Sequence, residues 1–282
     1  MHSTLCLLIL LALVVPLAAQ EEPAEKANGP WSYSLHLSAG LSQASFSNWA
    51  AGGENSLAYT SGLEGTLDYE PGEFFWNSEL SLAFAQTKQG DEDFRTSADS
   101  IDFATRSGYA LSPLARLFAE ATLTTQFAPG YDYETEPPVA VSAFADPLYM
   151  SQSAGVESKW FEWWSTRLSF GLKETLTDEY TVWSDDPETT EVETAKIEGG
   201  AFFTSHWQLA VNEIVSFDSQ LDIFAPFDEL TVMDVDWVNS LGVSLTGWLE
   251  LSAGLKLRYD EDEITEVQLS QTSALQVTVK LP

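Results

Sequence analysis

Between Val235 and Tyr259 the chain alternates in a way that leaves few choices of fold. Val235, Trp237, Leu241, Val243 and Leu245 occupy odd positions, and Asp236, Ser240, Gly242 and Ser244 lie between them. Beyond Thr246-Gly247-Trp248 the odd row resumes with Leu249, Leu251, Ala253, Leu255, Leu257 and Tyr259, against Glu250, Ser252, Gly254, Lys256 and Arg258. Successive side chains of a strand point to opposite faces, so a period of two describes a sheet with one apolar and one polar side. Pairing Leu245 with Leu249 keeps both odd rows on one face. The product is a hairpin about ten residues tall, the height of a bilayer-crossing strand pair with lipid outside and water inside.

The same alternation recurs along the chain, in segments that begin near Trp31, Asn55, Phe74, Ile101, Ala115, Leu148, Trp164, Ile197, Val215, Val235, Leu249 and Leu275. These are twelve strands, an even number, as an up-and-down ring with both ends on one side requires. Tight turns such as Glu70-Pro71-Gly72-Glu73 alternate with longer polar connections, among them Lys88–Ala98, Ala128–Pro147, Leu176–Thr194 and Asp260–Glu266. The apolar rows carry no Asp, Glu, Lys or Arg, and a lipid solvent demands this, since a midplane Lys or Arg costs about 2–4 kcal/mol. Aromatic residues gather at row ends (Trp31, Tyr69, Phe74, Phe127, Tyr131, Trp160, Trp164, Trp248, Tyr259), as interface girdles do. The expected fold is all-β: a twelve-stranded antiparallel up-and-down transmembrane β-barrel over residues 31–282.

Residues 1–20 stand apart. Leu5–Leu17 is apolar but too short to cross a bilayer as a helix, and Ala18-Ala19-Gln20 offers small residues for cleavage, so 1–20 reads as a secretory signal peptide and 21–30 as a short periplasmic leader. The lone Cys6 lies inside the apolar run, which leaves no cysteine for a disulfide after cleavage. A formal net charge of −31 makes nucleic acid an unsuitable partner. Ten Trp, sixteen Phe and nine Tyr argue for a folded chain in spite of that acidity.

Asn48-Trp49-Ala50-Ala51-Gly52-Gly53-Glu54-Asn55-Ser56 resembles the hallmark of an uncharacterised family of outer-membrane barrels from Bacteroidota-type bacteria, domain of unknown function 3078. Further pieces agree in order: Gly108-Tyr109, Phe127-Ala128-Pro129-Gly130-Tyr131, Ser142-Ala143-Phe144 with Pro147, Asp234-Val235-Asp236-Trp237 and Tyr259-Asp260. The resemblance implies the barrel fold and a location in the outer membrane of a Gram-negative cell. It implies no catalytic role.

Parity places most of the basic residues on the inward rows, opposite comparable numbers of acids. The lumen lining expected from this reading is Arg106, Arg116, Arg167, Lys256, Arg258, Glu120, Glu198 and Glu250. The negative excess then falls in the loops, where an acidic outer mouth favours cations over anions. Residues Asn48, Trp49, Gly52, Gly53 and Asn55 form the one sharply patterned loop, read as a rigid clasp on the barrel rim. Asp260–Glu263 and Asp178–Glu193 are acidic but lack the spacing and central glycine of a calcium loop, and read as solvated loops. Only His36 and His206 lie outside the leader, both on inward rows, so neither a metal site nor a catalytic centre nor a cofactor is expected. The functional expectation is a narrow porin-like channel for small solutes, with outer-membrane lipid around it. Its alternative is a closed barrel presenting surface loops to a partner or glycan.

Overall fold

The computed structural model describes residues 29–45, 54–186, 189–228, 232–260 and 264–281. The expected signal peptide and nearly all of the leader lie outside the described residues, as do Asn48, Trp49, Gly52 and Gly53 of the patterned loop. The strands are β1 (Trp31–Ala44), β2 (Ser56–Tyr69), β3 (Phe74–Gln89), β4 (Arg95–Ser112), β5 (Ala115–Thr125), β6 (Gly130–Asp132) and β7 (Val139–Ser142). They continue with β8 (Leu148–Phe161), β9 (Trp164–Leu176), β10 (Ala195–Ala210), β11 (Val215–Pro226), β12 (Asp234–Ser244), β13 (Leu249–Asp260) and β14 (Ile264–Leu281). Each strand of the wall pairs antiparallel with its neighbour, β5 pairs with β8, and β1 meets β14, which closes a twelve-stranded barrel. All twelve expected strands are present.

The opening hairpin has the expected register. Val235 faces Tyr259 and Ser244 faces Glu250, and Leu245 N–H donates to the Leu249 carbonyl at 2.9 Å. Asn239 breaks its alternation: it stands on the outward row, where its Oδ1 accepts from Ser219 Oγ at 2.8 Å, while Val238 lines the cavity inside.

Two connections differ from expectation. Lys88–Ala98 and Asp260–Glu266 shrink to 90–94 and 261–263, because β3–β4 and β13–β14 continue as strands beyond the rim. Length therefore projects from the barrel there as hairpin rather than loop. Within Ala128–Pro147 the chain folds a small antiparallel pair, β6 and β7, with Gly130 opposite Ser142. Phe127 and Tyr131 thus belong to this loop assembly and do not end a strand row.

The outward surface is largely apolar. At mid-height Leu63, Leu82 and Ile101 lie side by side on β2, β3 and β4. The longer strands do add charges to outward rows (Lys88, Asp99 and Glu174), all near the long-loop rim. The Asp99 carboxylate accepts the backbone N–H groups of Phe127 and Ala128 at 2.7 and 2.8 Å. Outward tryptophans meet hydroxyls on the same face: Trp76 Nε1 donates to Thr105, Trp160 Nε1 to Thr166 and Trp237 Nε1 to Ser219, at 2.9, 2.9 and 3.1 Å. Water would satisfy an indole N–H without such help, and lipid would not. At the short-turn rim Trp31 packs on Tyr69 and Trp76 with ring centroids 4.3 and 5.9 Å apart, and Trp164 lies 5.2 Å from Trp207. These rings form an aromatic band at that rim, which includes Trp31, Tyr69 and Trp164 of the expected set.

Candidate functional site: the barrel lumen

Alternation sends every second residue inward, and register decides which inward residues meet. Along one diagonal, Arg116 on β5 faces Glu157 on β8, which faces Arg167 on β9, which faces Thr204 on β10. The row goes on through Asp222 and Asp236 to Arg258 on β13. A second row runs from Asp68 through Asn77 and Arg106 to Glu120. Opposite charges on adjacent strands neutralise each other over several ångströms (Arg106 Nη1 to Glu120 Oε1, 3.6 Å; Lys256 Nζ to Asp236 Oδ1, 3.3 Å). Glu157, only 3% exposed, lies in register between Arg116 and Arg167, and its Oε2 is buried without a hydrogen-bond partner.

These rows border an internal cavity of about 960 Å³. Its lining starts at the short-turn rim with Glu70, Glu162 and Trp163 and reaches past mid-height to Asp102, Thr124 and Asp236. Arg106, Arg116, Arg167, Lys256 and Glu120 all line it. Arg258 lines a smaller pocket of about 180 Å³ toward the long-loop rim. Glu198 faces inward outside the main cavity, 3.3 Å from Lys196, and Glu250 sits low on β13 opposite Ser244 and Gln276. His206 lines the cavity with its Nε2 2.9 Å from Asp218 Oδ2. Asn55 stands at the edge of the patterned loop, its carbonyl accepting Gly90 N–H at 2.7 Å.

Strand alternation alone misses several functional elements. Phe75 and Phe118 are buried in the lumen at the short-turn end, on either side of Gly108 in register. A Cβ on Gly108 would stand 1.9 Å from the Leu117 carbonyl oxygen, so only glycine fits there. Arg116 lays its guanidinium 5.0 Å from the Phe75 ring centroid while pairing with Glu70 at 3.6 Å. Toward the long-loop rim the Phe202 and Phe224 rings pack at a 42° tilt, with centroids 4.7 Å apart. Beside them Lys173 reaches Asp234 at 2.6 Å and Asp260 at 3.5 Å. Continuing the even row of the opening hairpin one residue at each end would have reached both acids.

The rest of the lumen is different in kind. Around β14, β1 and β2 the inward residues are small and mostly uncharged, as in Ser34, Ser38, Gly40, Ser42, Thr60, Gly62 and Thr66. Ser34 and Thr66 share a hydrogen bond at 2.7 Å. The lumen therefore has a charged wall and a hydroxyl-lined wall.

Above the rim, two long loops are joined through Asp146. Its carboxylate, 6% exposed as a residue, accepts the N–H groups of Asp178, Glu179 and Tyr180 at 3.1, 2.7 and 3.2 Å. Trp183 Nε1 donates to the Val141 carbonyl at 3.1 Å. Among the described residues there is no cluster of three or more His, Cys, Asp or Glu arranged to hold a metal ion.

The model of a family described as Protein of unknown function (DUF3078) matches residues 41–131. No curated protein matches the chain. Among solved structures the chain is similar to an outer membrane channel from Pseudomonas putida F1, at 11% identity and TM-score 0.41, over 93% of this chain and 98% of that one. It is similar to the translocator domain of the autotransporter NalP from Neisseria meningitidis at 12% identity and TM-score 0.36, over 100% and 96%. It is also similar to OprB from Pseudomonas putida at 10% identity and TM-score 0.33, over 89% and 94%.

Proposed function

We propose that this chain is an outer-membrane barrel of a Gram-negative bacterium that conducts small solutes as a narrow porin-like channel, with no catalytic step of its own. The family is the Bacteroidota-type one whose motif spans Asn48–Ser56, and the short turns lie in the periplasm. One observation carries the reading: a polar cavity of about 960 Å³ runs from the short-turn rim past mid-height. Eight strands give an interior filled by side chains and sixteen an open aqueous channel. Twelve strands with one charged and one hydroxyl-lined wall leave a partly filled, hydrated path. Acids at the long-loop end, among them Asp91, Asp93, Glu134, Glu136, Glu179 and Asp186, draw cations to that mouth.

Swelling of liposomes containing the purified barrel tests this. Pentoses and hexoses should enter and oligosaccharides should not. Liposomes that swell no faster than empty ones in every sugar would overturn it.

A second reading, presentation of loops to a partner or glycan, draws on one observation. The loops joined through Asp146 and Trp183 are ordered against each other and expose Phe144 and Val182 by 65% and 75%. Rigid loops on a barrel are a form that binding sites take.

A further inference from the structure

One join in the wall is unlike the others. β1 pairs with β2 along its whole length, from Trp31 opposite Tyr69 to Ala44 opposite Ser56. With β14 it pairs only from Leu35 opposite Leu281 to Ala39 opposite Val277. Carried on, that register would set Gly40–Ala44 against Thr272–Gln276. Among the described residues those two stretches do not pair with each other. Each is held on its other side, Gly40–Ala44 by β2 and Thr272–Gln276 by β13. Gly40 still stands at strand spacing from β14, where a Cβ would lie 3.6 Å from the Leu275 carbonyl oxygen, so the four residues beyond it, Leu41–Ala44, at about 3.4 Å each make an unzipped stretch roughly 14 Å tall.

An open sheet edge is not tolerated in hydrocarbon, because its N–H and C=O groups find no partner there. These edges therefore face water or a polar ligand. The side chains around them agree. Residues 40–44, 56–60, 251–254 and 272–276 contain no Asp, Glu, Lys, Arg or His, and the nearest acid on the flanking strand is Glu250, opposite Gln276 at the foot of the stretch. On the inward side stand Gly40, Ser42 and Thr272. On the outward side Leu41 and Leu275 are 56% and 57% exposed. The outward row of β14 turns polar just above them, at Ser273 and Gln271. The charged residues of the cavity belong to the other walls, except Asp68 and Glu70 at the short-turn end of β2.

We infer that the β1–β14 seam is a lateral portal from the lumen to the leaflet nearer the long-loop rim, and that it takes uncharged amphiphiles: a hydroxylated head group on a hydrocarbon chain. Head-group hydroxyls satisfy the open backbone edges, which a hydrocarbon cannot do. The chain lies between Leu41 and Leu275 and continues into lipid. A formally charged head finds no counter-charge along the open stretch itself, since Glu250 stands below it. The inference rests on the channel reading for the route into the lumen, but the portal itself is a property of the wall and is tested separately.

Hydrogen exchange on the unaltered barrel in lipid nanodiscs reads the seam first. Amides of Leu41, Gln43, Ser273 and Leu275, whose N–H groups point at the seam, should exchange at least tenfold faster than those of Leu35, Leu37, Ala39, Val277, Val279 and Leu281, which point across the paired stretch. Equal protection across both stretches overturns the portal. The second measurement uses Ser42→Cys and, as a lumen-facing control in the paired stretch, Ser38→Cys. Each carries a fluorophore in nanodiscs whose lipids are brominated on the acyl chains. The label at position 42 should be quenched and the label at 38 should not. Equal quenching at the two positions, or none at 42, overturns the portal. Finally, Ser42→Cys/Ala274→Cys should form a disulfide that closes the seam. In planar bilayers, octyl glucoside below its micellar concentration should then block potassium chloride current in the reduced form and not in the oxidised one. Block that is unchanged by oxidation overturns the portal. A barrel that conducts nothing while the label at 42 is quenched overturns the channel and leaves the portal standing.

Discussion

Lys173 on β9 holds its ammonium 2.6 Å from Asp234 Oδ2 on β12, a contact that spans the lumen past the two intervening strands. Asp260 on β13 adds a second carboxylate at 3.5 Å, and the Phe224 ring centroid lies 5.6 Å from the same ammonium. Neighbouring-strand pairs such as Arg106–Glu120 follow from register alone. This one depends on curvature, because a flat sheet would hold β9 and β12 about 14 Å apart at the usual strand spacing. The bridge thus ties the charged wall to itself near the long-loop rim and narrows the lumen there.

Lys173→Met should loosen the upper lumen. Breaking a dry buried pair costs about 3–5 kcal/mol, and since Lys173 and Asp234 side chains keep 20% and 17% exposure we expect about 2 kcal/mol. The midpoint of heat-induced gel migration should fall, and single-channel conductance should rise. Adding Asp234→Asn should recover part of the lost stability, because it removes one of the two carboxylates left facing each other.

Leu82→Arg and Ser81→Arg are adjacent changes with opposite expected outcomes. Leu82 is outward and lies between Leu63 and Ile101, so arginine there should cost about 2–4 kcal/mol in a bilayer. Ser81 faces inward between Glu64 and Asp102, where arginine gains two carboxylates. Equilibrium refolding into lipid vesicles checks both. Equal penalties would mean that the two faces do not meet different solvents.

Asp146→Ala should free the joined loops without harming the wall. Three backbone N–H groups lose their acceptor, an expected local loss of about 1–3 kcal/mol. Hydrogen exchange should accelerate over 178–184, with barrel strands and gel-migration midpoint unchanged.

Acid should loosen the neighbouring segment through Glu193. The Thr189 hydroxyl and then the Asp186 N–H donate to its carboxylate, at 2.7 and 3.2 Å, and hold its pKa below the ordinary 4.5. The folded loop therefore binds this proton less readily than the unfolded chain does. The ordering that results is complete above pH 4.5 and is lost as pH falls through the depressed value. Protection factors near 189–193, corrected for the intrinsic pH dependence of exchange, should fall through that range in wild type and hold steady in Glu193→Gln.

The wall was readable from the chain because its logic is local. A period of two assigns each residue to lipid or lumen, and Leu245 opposite Leu249 sets the first register without any distant contact. Arg106, Arg116, Arg167, Lys256 and Glu120 follow from parity and line the cavity. Phe75 and Phe202 escaped notice because each adjoins an outward aromatic, Phe74 or Trp76 and Phe203, and a run of rings hides which one turns inward. Asp234 and Asp260 end their strands, where alternation does not separate a lumen acid from the loop acids beside it. The Lys173 bridge was out of reach for a deeper reason: which inward residues meet across a lumen depends on strand tilt and stagger, and alternation does not fix these. The β6–β7 pair and the Asp146 junction depend on contacts between loops, for which no periodicity exists.

Planar-bilayer recording of the purified barrel shows whether water fills a continuous path inside a wall bathed by lipid. Discrete current steps in potassium chloride are expected, with a reversal potential favouring cations across a salt gradient and larger steps for Lys173→Met. Insertion of the folded barrel with no current step at any voltage, in wild type and Lys173→Met alike, would contradict such a path.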